Sequence, residues 1–466
     1  MGGSDNARAH AAAVAVLRDS YTAIPADVPV RLAKATSNLF RRRTSTPGAG
    51  LDVSGLGGVL SVDEVRRTAD VQGMCTYEDL VAATLPHGLM PLVVPQLKTI
   101  TLGGAVSGLG IESSSFRNGL PHESVIEMDI LTGDGSIVTC TPDGPHADLF
   151  AAFPNSYGSL GYAVRLRIEL EQVSPYVALR HVRFDLLDEL AAATAVVCRE
   201  AQWDGERVDF VDGVVFGPGE AYLTLGRWVD DVADAGLLCA SDYTGQQVYY
   251  RSIRERSRDV LTVHDYLWRW DTDWFWCSAT FGAQHPVIRR CWPSRWRRSD
   301  VYHRLVGLEN RFGVYARLQR LRGKPPVERV IQDVEIPVER TADFLRWFDQ
   351  TVGMRPVWLC PLTLRERPDG AREWPLYPLT PGQLYVNVGF WGTVAIGPGR
   401  ADGDVNRLIE AAVSEHDGHK SLYSDVFYDE ETFDTTYGGK VYREVLDEYD
   451  PGHRLTGFYQ KVVRHQ

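Results

Sequence analysis

Two hydrophobic periodicities divide this chain. Residues 1–24 carry apolar positions at helical spacing, interrupted by Arg8, His10 and Arg18, and Pro25 closes the run. That pattern predicts an amphipathic helix. Between residues 28 and 171 short β-branched runs alternate with Gly-rich turns. VRLAK, GGVLSVD, RTADVQGM, SVIEMDILTGDGSIVTC and AVRLRIELEQV have the composition and alternation of strands. TYEDLVAATLPHG changes to helical spacing, with Thr76 as cap and Gly88 as stop. After Pro175 the texture shifts. VALRHVRFDLL, ERVDFVDGVVF, AYLTLGRWV, RPVWLCPLTL and LYVNVGFWG predict the strands of a second, antiparallel sheet, and DVEIPVERTADFLRWFDQTV reads as strand then helix. The expected fold class is α+β, with one domain over residues 1–175 and another over residues 176–466.

Length and composition narrow the classes. A chain of 466 residues exceeds what one hydrophobic core usually serves. It is 44% hydrophobic and 24% charged, the balance of a globular protein. A net charge of −12 argues against a nucleic-acid partner, which positive surface would have to hold. The seven cysteines contain no CxxC pair, fitting neither a zinc site nor a disulfide framework, so no metal is expected. No stretch approaches the roughly 18 apolar residues of a membrane span, and the N-terminal run lacks the features of a cleaved leader. The expected location is the cytoplasm, with peripheral attachment to the inner face of the cell membrane kept open.

The chemistry concentrates in residues 101–119, TLGGAVSGLGIESSSFRNG. Gly103, Gly104, Gly108 and Gly110 stand among five Ser or Thr within fifteen positions. Glycine lets backbone approach a ligand closely, and successive N–H groups with small hydroxyls make an anion-binding nest. A plain Gly-rich turn is the alternative. No GxGxxG occurs, so a Rossmann site is not the explanation. KATSNLF (residues 34–40) and FPNSYGSLGYAV (residues 153–164) add a polar loop and a Gly-bearing entry to a strand.

In this order, the segments KATSNLF, VVPQLKTITLGG, GLGIESSS and DLFAAFPNSYGSLGY resemble the FAD domain of the vanillyl-alcohol-oxidase, or PCMH-type, superfamily. The resemblance implies FAD contacts for Thr36, Ser37, Asn38 and Leu39 in the first loop. It implies Pro95, Gln96, Thr101, Gly103, Gly104, Ser107 and Gly108 at the pyrophosphate. Ile111, Glu112, Ser114 and Ser115 are implied beside the flavin, with Gly158, Gly161 and Val164 near the adenosine. The first loop has neither His nor Cys, where many oxidases of that superfamily attach flavin covalently, so FAD is expected to be non-covalent. GIESSS, PVWLCPL, LYVNVGFWG and LYSDVFYDEETF resemble the delta-24 sterol reductases. SNLFR, GMCTYEDLVAATLP and FRNGLPHESV are closer to actinobacterial reductases that convert 10-methylene to 10-methyl fatty acyl chains of the tuberculostearic type. An oxygen-using alcohol or sugar oxidase is the reading from another class.

Reducing an unactivated alkene requires an acid and an apolar pocket whose aromatic faces stabilise positive charge. The candidate acids are Glu112, Asp265 and Asp425. Glu112 has the alternative of a flavin or backbone contact, and Asp265 that of a helix cap or an ion pair. Tyr385, Asn387, Trp391 and Tyr423 are candidate pocket residues, each with plain core packing as the alternative. The resemblance implies NADPH as reductant, a fatty acyl phospholipid as substrate and a methyltransferase as partner. An oligomer is also open.

One segment departs from the rest. Residues 251–324 hold fifteen Arg and one Lys against seven carboxylates, and six of the twelve tryptophans (268, 270, 274, 276, 292 and 296). Arg beside Trp suits an interfacial membrane surface. It equally suits a dimer interface, or a Trp-lined core beneath an Arg-rich helix.

Overall fold

The computed structural model describes residues 2–34, 40–41, 50–245, 247–312, 325–368 and 370–465. Two antiparallel sheets organise them. The first holds β1 (Val59–Asp63), β2 (Thr68–Gln72), β3 (Leu89–Pro91), β4 (Val125–Leu131), β5 (Ile137–Cys140) and β6 (Tyr162–Gln172). Its order is β1-β2-β6-β4-β5, with β3 on the far end of β6. The chain then enters β7 (Tyr176–Phe184), crosses the small ribbon of β8 (Gln202–Trp203) and β9 (Glu206–Arg207), and builds a larger sheet. Its further strands are β10 (Phe210–Gly217), β11 (Glu220–Val229), β12 (Arg258–Thr262), β13 (Val327–Pro337), β14 (Val357–Leu362), β15 (Tyr385–Ala395) and β16 (His419–Lys420). They pair in the order β12-β7-β11-β10-β14-β15-β13-β16.

Alternation along the strands decides what each face touches. Val330, Val334 and Ile336 of β13 and Val386, Val388 and Phe390 of β15 pack on helices Leu187–Glu200, Val338–Thr351 and Asp404–Glu415. The opposite parity, including Trp358, Cys360 and Tyr385, joins the cluster shared with the first sheet. The functional surface is therefore the face turned away from the three helices.

Most sequence expectations have counterparts. The first helix runs Gly2–Ala23, and helix Tyr77–Thr84 is capped by Thr76, whose Oγ1 accepts the Asp79 N–H. VRLAK differs: it forms isolated bridges from Val30 to Leu455 and from Leu32 to Leu51 instead of a strand. Its partners are two distant segments, so no ladder extends.

The tryptophan-rich segment has a mixed outcome. Trp268, Trp270 and Trp274 are buried, and Trp296 is exposed. Among the described residues no helix is long and apolar enough to cross a membrane.

Candidate active site

A cavity of about 1260 Å³ lies where side chains of both sheets meet. This exceeds the roughly 300–1,000 Å³ of an ordinary small-molecule pocket and leaves room for a dinucleotide beside a second ligand.

One wall is built by the turn into helix Leu102–Gly108. Thr101 Oγ1 accepts the Gly104 N–H at 3.2 Å, and Ser107 Oγ donates to the Gly103 carbonyl at 2.8 Å. Thr101, Gly103, Gly104, Ser107, Gly108 and Ile111 line the cavity, as do Pro95, Gln96, Gly158 and Gly161. A Cβ on Gly104 would meet Thr101 Oγ1 at 2.8 Å, so a larger side chain there would crowd the cap beside the open wall. Among the described residues Arg31, Lys34, Lys461 and Arg464 also line the cavity, against one carboxylate, Asp333. That balance suits a pyrophosphate dianion. Gln96 Nε2 is buried with no hydrogen-bond partner among the described residues, a donor left for a ligand. The residues present therefore fit a dinucleotide.

Other expected contacts fall elsewhere. Thr36, Ser37, Asn38 and Leu39 lie outside the described residues, although Lys34 and Phe40 on either side of them line the cavity. The Val164 side chain packs with Leu17 and Leu131 under the first helix, and Ala163 faces the cavity instead, because neighbouring strand residues point oppositely. Ser114 Oγ donates to the Leu92 carbonyl, and Ser115 Oγ accepts the Glu112 N–H. Both are buried and brace the turn below the wall.

The three candidate acids do not line the cavity. Glu112 accepts from Ser113 Oγ at 2.6 Å and from Arg269 Nη2 at 3.1 Å. Burial raises its carboxyl and Arg269 opposes the rise. Arg269 also donates to Asp212 at 2.9 Å, so Glu112 belongs to a buried ion cluster joining the two sheets. Asp265 accepts from Thr244 Oγ1, and its N–H is capped by Thr262. Burial pushes this carboxyl up, but hydrogen bonds from His264, Thr244 and Thr262 hold it below the usual range. Asp425 accepts from Arg329 Nη2 at 2.6 Å.

Of the expected pocket residues, Trp391 and Tyr423 line the cavity, and the Trp391 indole N–H donates to the Tyr423 hydroxyl at 2.9 Å. Tyr385 is buried and its hydroxyl accepts from the Thr380 N–H. Asn387 stands one layer back, donating to Asp333 Oδ1 at 3.1 Å.

Asp333 is the residue that the sequence reading missed. It lines the cavity, burial raises its carboxyl to about 6, and hydrogen bonds from Asn387 and Tyr423 oppose that rise. Behind it Glu335, raised well above the carboxylate range by burial, accepts from Ser421 Oγ at 2.8 Å. A signal existed in QDVEIP, with two carboxylates at alternate positions of a strand otherwise rich in apolar residues. Around Asp333 the wall is aromatic, formed by Trp274, Phe275, Trp358 and Trp391. Phe275 stacks on Trp391 with centroids 4.3 Å apart and meets Trp358 edge-on at 5.4 Å.

A cation-lined dinucleotide cavity that ends in aromatic rings and a high-pKa carboxyl defines a cofactor-dependent enzyme. Residues 8–141 match the family model described as "FAD binding domain", which supports FAD as the dinucleotide. Across both sheets the chain is similar to proteins named Delta(24)-sterol reductase. It is 26% identical to that of Macaca fascicularis over 415 residues, covering 87% of this chain and 76% of the relative. Over 460 residues it is 26% identical to that of Arabidopsis thaliana, covering 88% and 75%. A shorter match of 223 residues, 31% identical, reaches cytokinin dehydrogenase 2 of Oryza sativa subsp. japonica and covers 43% of this chain and 37% of the relative.

Proposed function

We propose that this enzyme reduces an isolated carbon–carbon double bond in a lipid. The substrate is a 10-methylene fatty acyl chain carried on a phospholipid, the product is the 10-methyl chain, and NADPH is the reductant. The observation that carries this reading is Asp333, a carboxyl holding its proton to about pH 6 within a wall of indole and phenyl rings.

An isolated alkene has no carbonyl to take up electron density, so its reduction begins with a proton. The π pair of the alkene takes the proton of Asp333, a C–H bond forms at the terminal methylene, and a tertiary cation remains. Trp391, Phe275 and Trp358 line the cavity beside Asp333 and supply the aromatic surface that such a charge requires. The carboxylate left on Asp333 is held by the Asn387 amide and the Tyr423 hydroxyl. FAD, when bound and reduced, supplies the hydride that completes the reduction. FAD is held non-covalently in this reading, since the first loop KATSNLF carries neither His nor Cys. A sterol side-chain alkene is the second reading, favoured by the relatives named Delta(24)-sterol reductase, and uses the same Asp333 chemistry.

The test is a single turnover of photoreduced holoenzyme under nitrogen in D₂O, offered 10-methylene phospholipid, a Δ24 sterol or a simple alcohol. The expected result is flavin reoxidation by the methylene lipid alone, with one deuterium in the new methyl group. Turnover of the sterol alone would replace the acyl reading by the sterol one. In a parallel assay of the oxidised holoenzyme in air, oxidation of the alcohol, with no alkene reduction in the anaerobic experiment, would overturn both.

A further inference from the structure

Among the described residues eleven large hydrophobic side chains are exposed, and eight of them are scattered. The other three, Val287, Ile288 and Trp296, fall within ten positions and are 65%, 42% and 49% exposed. Residues 285–298 also contain five arginines and no carboxylate, within a chain of net charge −12.

These arginines divide by role. Arg289 is buried and donates to both oxygens of Asp273, at 2.7 and 3.1 Å. Arg297 is buried and donates to the carbonyls of Arg289 and Trp292 at 2.6 and 2.9 Å. Arg298 pairs with Glu78 and Asp300. These three brace the segment as a platform. Arg290 and Arg295 remain exposed, and the Arg295 guanidinium lies 5.4 Å over the Trp296 ring.

The platform adjoins the active site. Trp292 packs in one cluster with Trp274, and Trp274 and Cys277 line the cavity. The Trp292 indole N–H donates to the Trp296 carbonyl, so the exposed patch connects to the cavity wall through this cluster.

We infer that the surface formed by Val287, Ile288, Arg290, Arg295 and Trp296 docks the enzyme on an anionic phospholipid bilayer. The aliphatic chains and the indole enter the interface, and the two guanidinium groups meet lipid phosphates. The chain as a whole is acidic and would be repelled by such a surface, so this local cluster also sets the orientation. The inference deepens the lipid reading of the cavity and rests on it for its purpose: docking here sets the cavity wall against the phase that holds the substrate.

The experiment is cosedimentation of the flavin-loaded protein with phosphatidylglycerol-containing vesicles and with neutral phosphatidylcholine vesicles. The parent should prefer the anionic vesicles, and rising salt should weaken binding to a residual apolar component. V287S/I288S/W296S should weaken partition about a hundredfold, and R290Q/R295Q about thirtyfold at low salt. Both variants should keep full flavin content and parental turnover on detergent-dispersed substrate. Absence of parental binding, or equal binding by parent and variants, would overturn the inference. So would a parental dimer that the triple variant dissolves, because the patch would then join two copies of this chain. Vesicle binding is read without turnover, so failure of the substrate proposal and failure of docking are separate results. The salt titration uses the unaltered protein and does not depend on any variant folding.

Discussion

Asp333 shows how one residue acquires chemistry from its position. On β13 it shares parity with Glu335, while Val330, Val334 and Ile336 of the other parity fill the core under the helices. Burial raises its carboxyl from 3.8 to about 6. Between those pH values the folded state keeps a proton that the unfolded chain has released, so this residue's contribution to stability declines as pH rises from about 4 to 6 and is then constant. The gap sets an upper bound of about 3 kcal/mol. Asp333→Asn should therefore melt at a higher temperature than the parent at pH 8 and lose that advantage near pH 4. The same variant should slow alkene reduction by about 10²-fold or more, as expected on losing a general acid. A variant both active and unchanged in its pH–stability curve would remove Asp333 from the mechanism. At Gly104, replacement by Val would set a branched side chain against Thr101 Oγ1 and into the cavity. Purified Gly104→Val should lack visible flavin absorbance while retaining its far-ultraviolet dichroism.

At the scale of elements, the segment after helix Val263–Trp268 is pinned by ions. Arg269 is fully buried and joins Glu112, below the Gly-rich wall of the cavity, to Asp212 on β10. The Trp270 indole N–H donates to the same Asp212 oxygen at 3.0 Å. Arg269→Met would strand two carboxylates in the interior, which costs about 3–5 kcal/mol. Urea unfolding should show a loss of that size. FAD affinity should fall with it, because Glu112 anchors the turn that forms the wall. Glu112→Gln should be milder, since an amide oxygen can still accept from Arg269. The composition of this segment could not disclose any of this. Arg and Trp look alike whether they face lipid, a partner or a core, and the deciding partners, Asp212 and Asp273, are set by tertiary pairing.

At the scale of the molecule, the cavity takes residues from both sheets and from the chain's end, where Gln460, Lys461 and Arg464 line it. A ligand held there binds the folded state and not the unfolded one, so FAD at a thousand times its dissociation constant should add about 4 kcal/mol. Stripping the flavin should lower the melting temperature of the whole chain in one transition, and FAD should restore it. Acid precipitation should leave all the flavin in the supernatant. Flavin on the pellet would indicate a covalent link, for which Cys277 is the cysteine lining the cavity.

The sequence by itself determined most of the elements and the Gly-rich wall of the cavity, because both rest on local physics. Strand alternation, the Thr76 cap and the small residues at 101–108 act within a few positions, and so can be read in order. Trp391 and Tyr423 were legible as residues on aromatic, strand-like segments. Only the tertiary structure decided which carboxyl faces the cavity. Glu112, Asp265 and Asp425 differ from Asp333 in their partners, and those partners, Arg269, Thr244 and Arg329 on one side and Asn387 and Tyr423 on the other, come from distant parts of the chain. A carboxyl keeps its proton where burial outweighs its hydrogen bonds and charges, and that balance exists only after the sheets have closed on it.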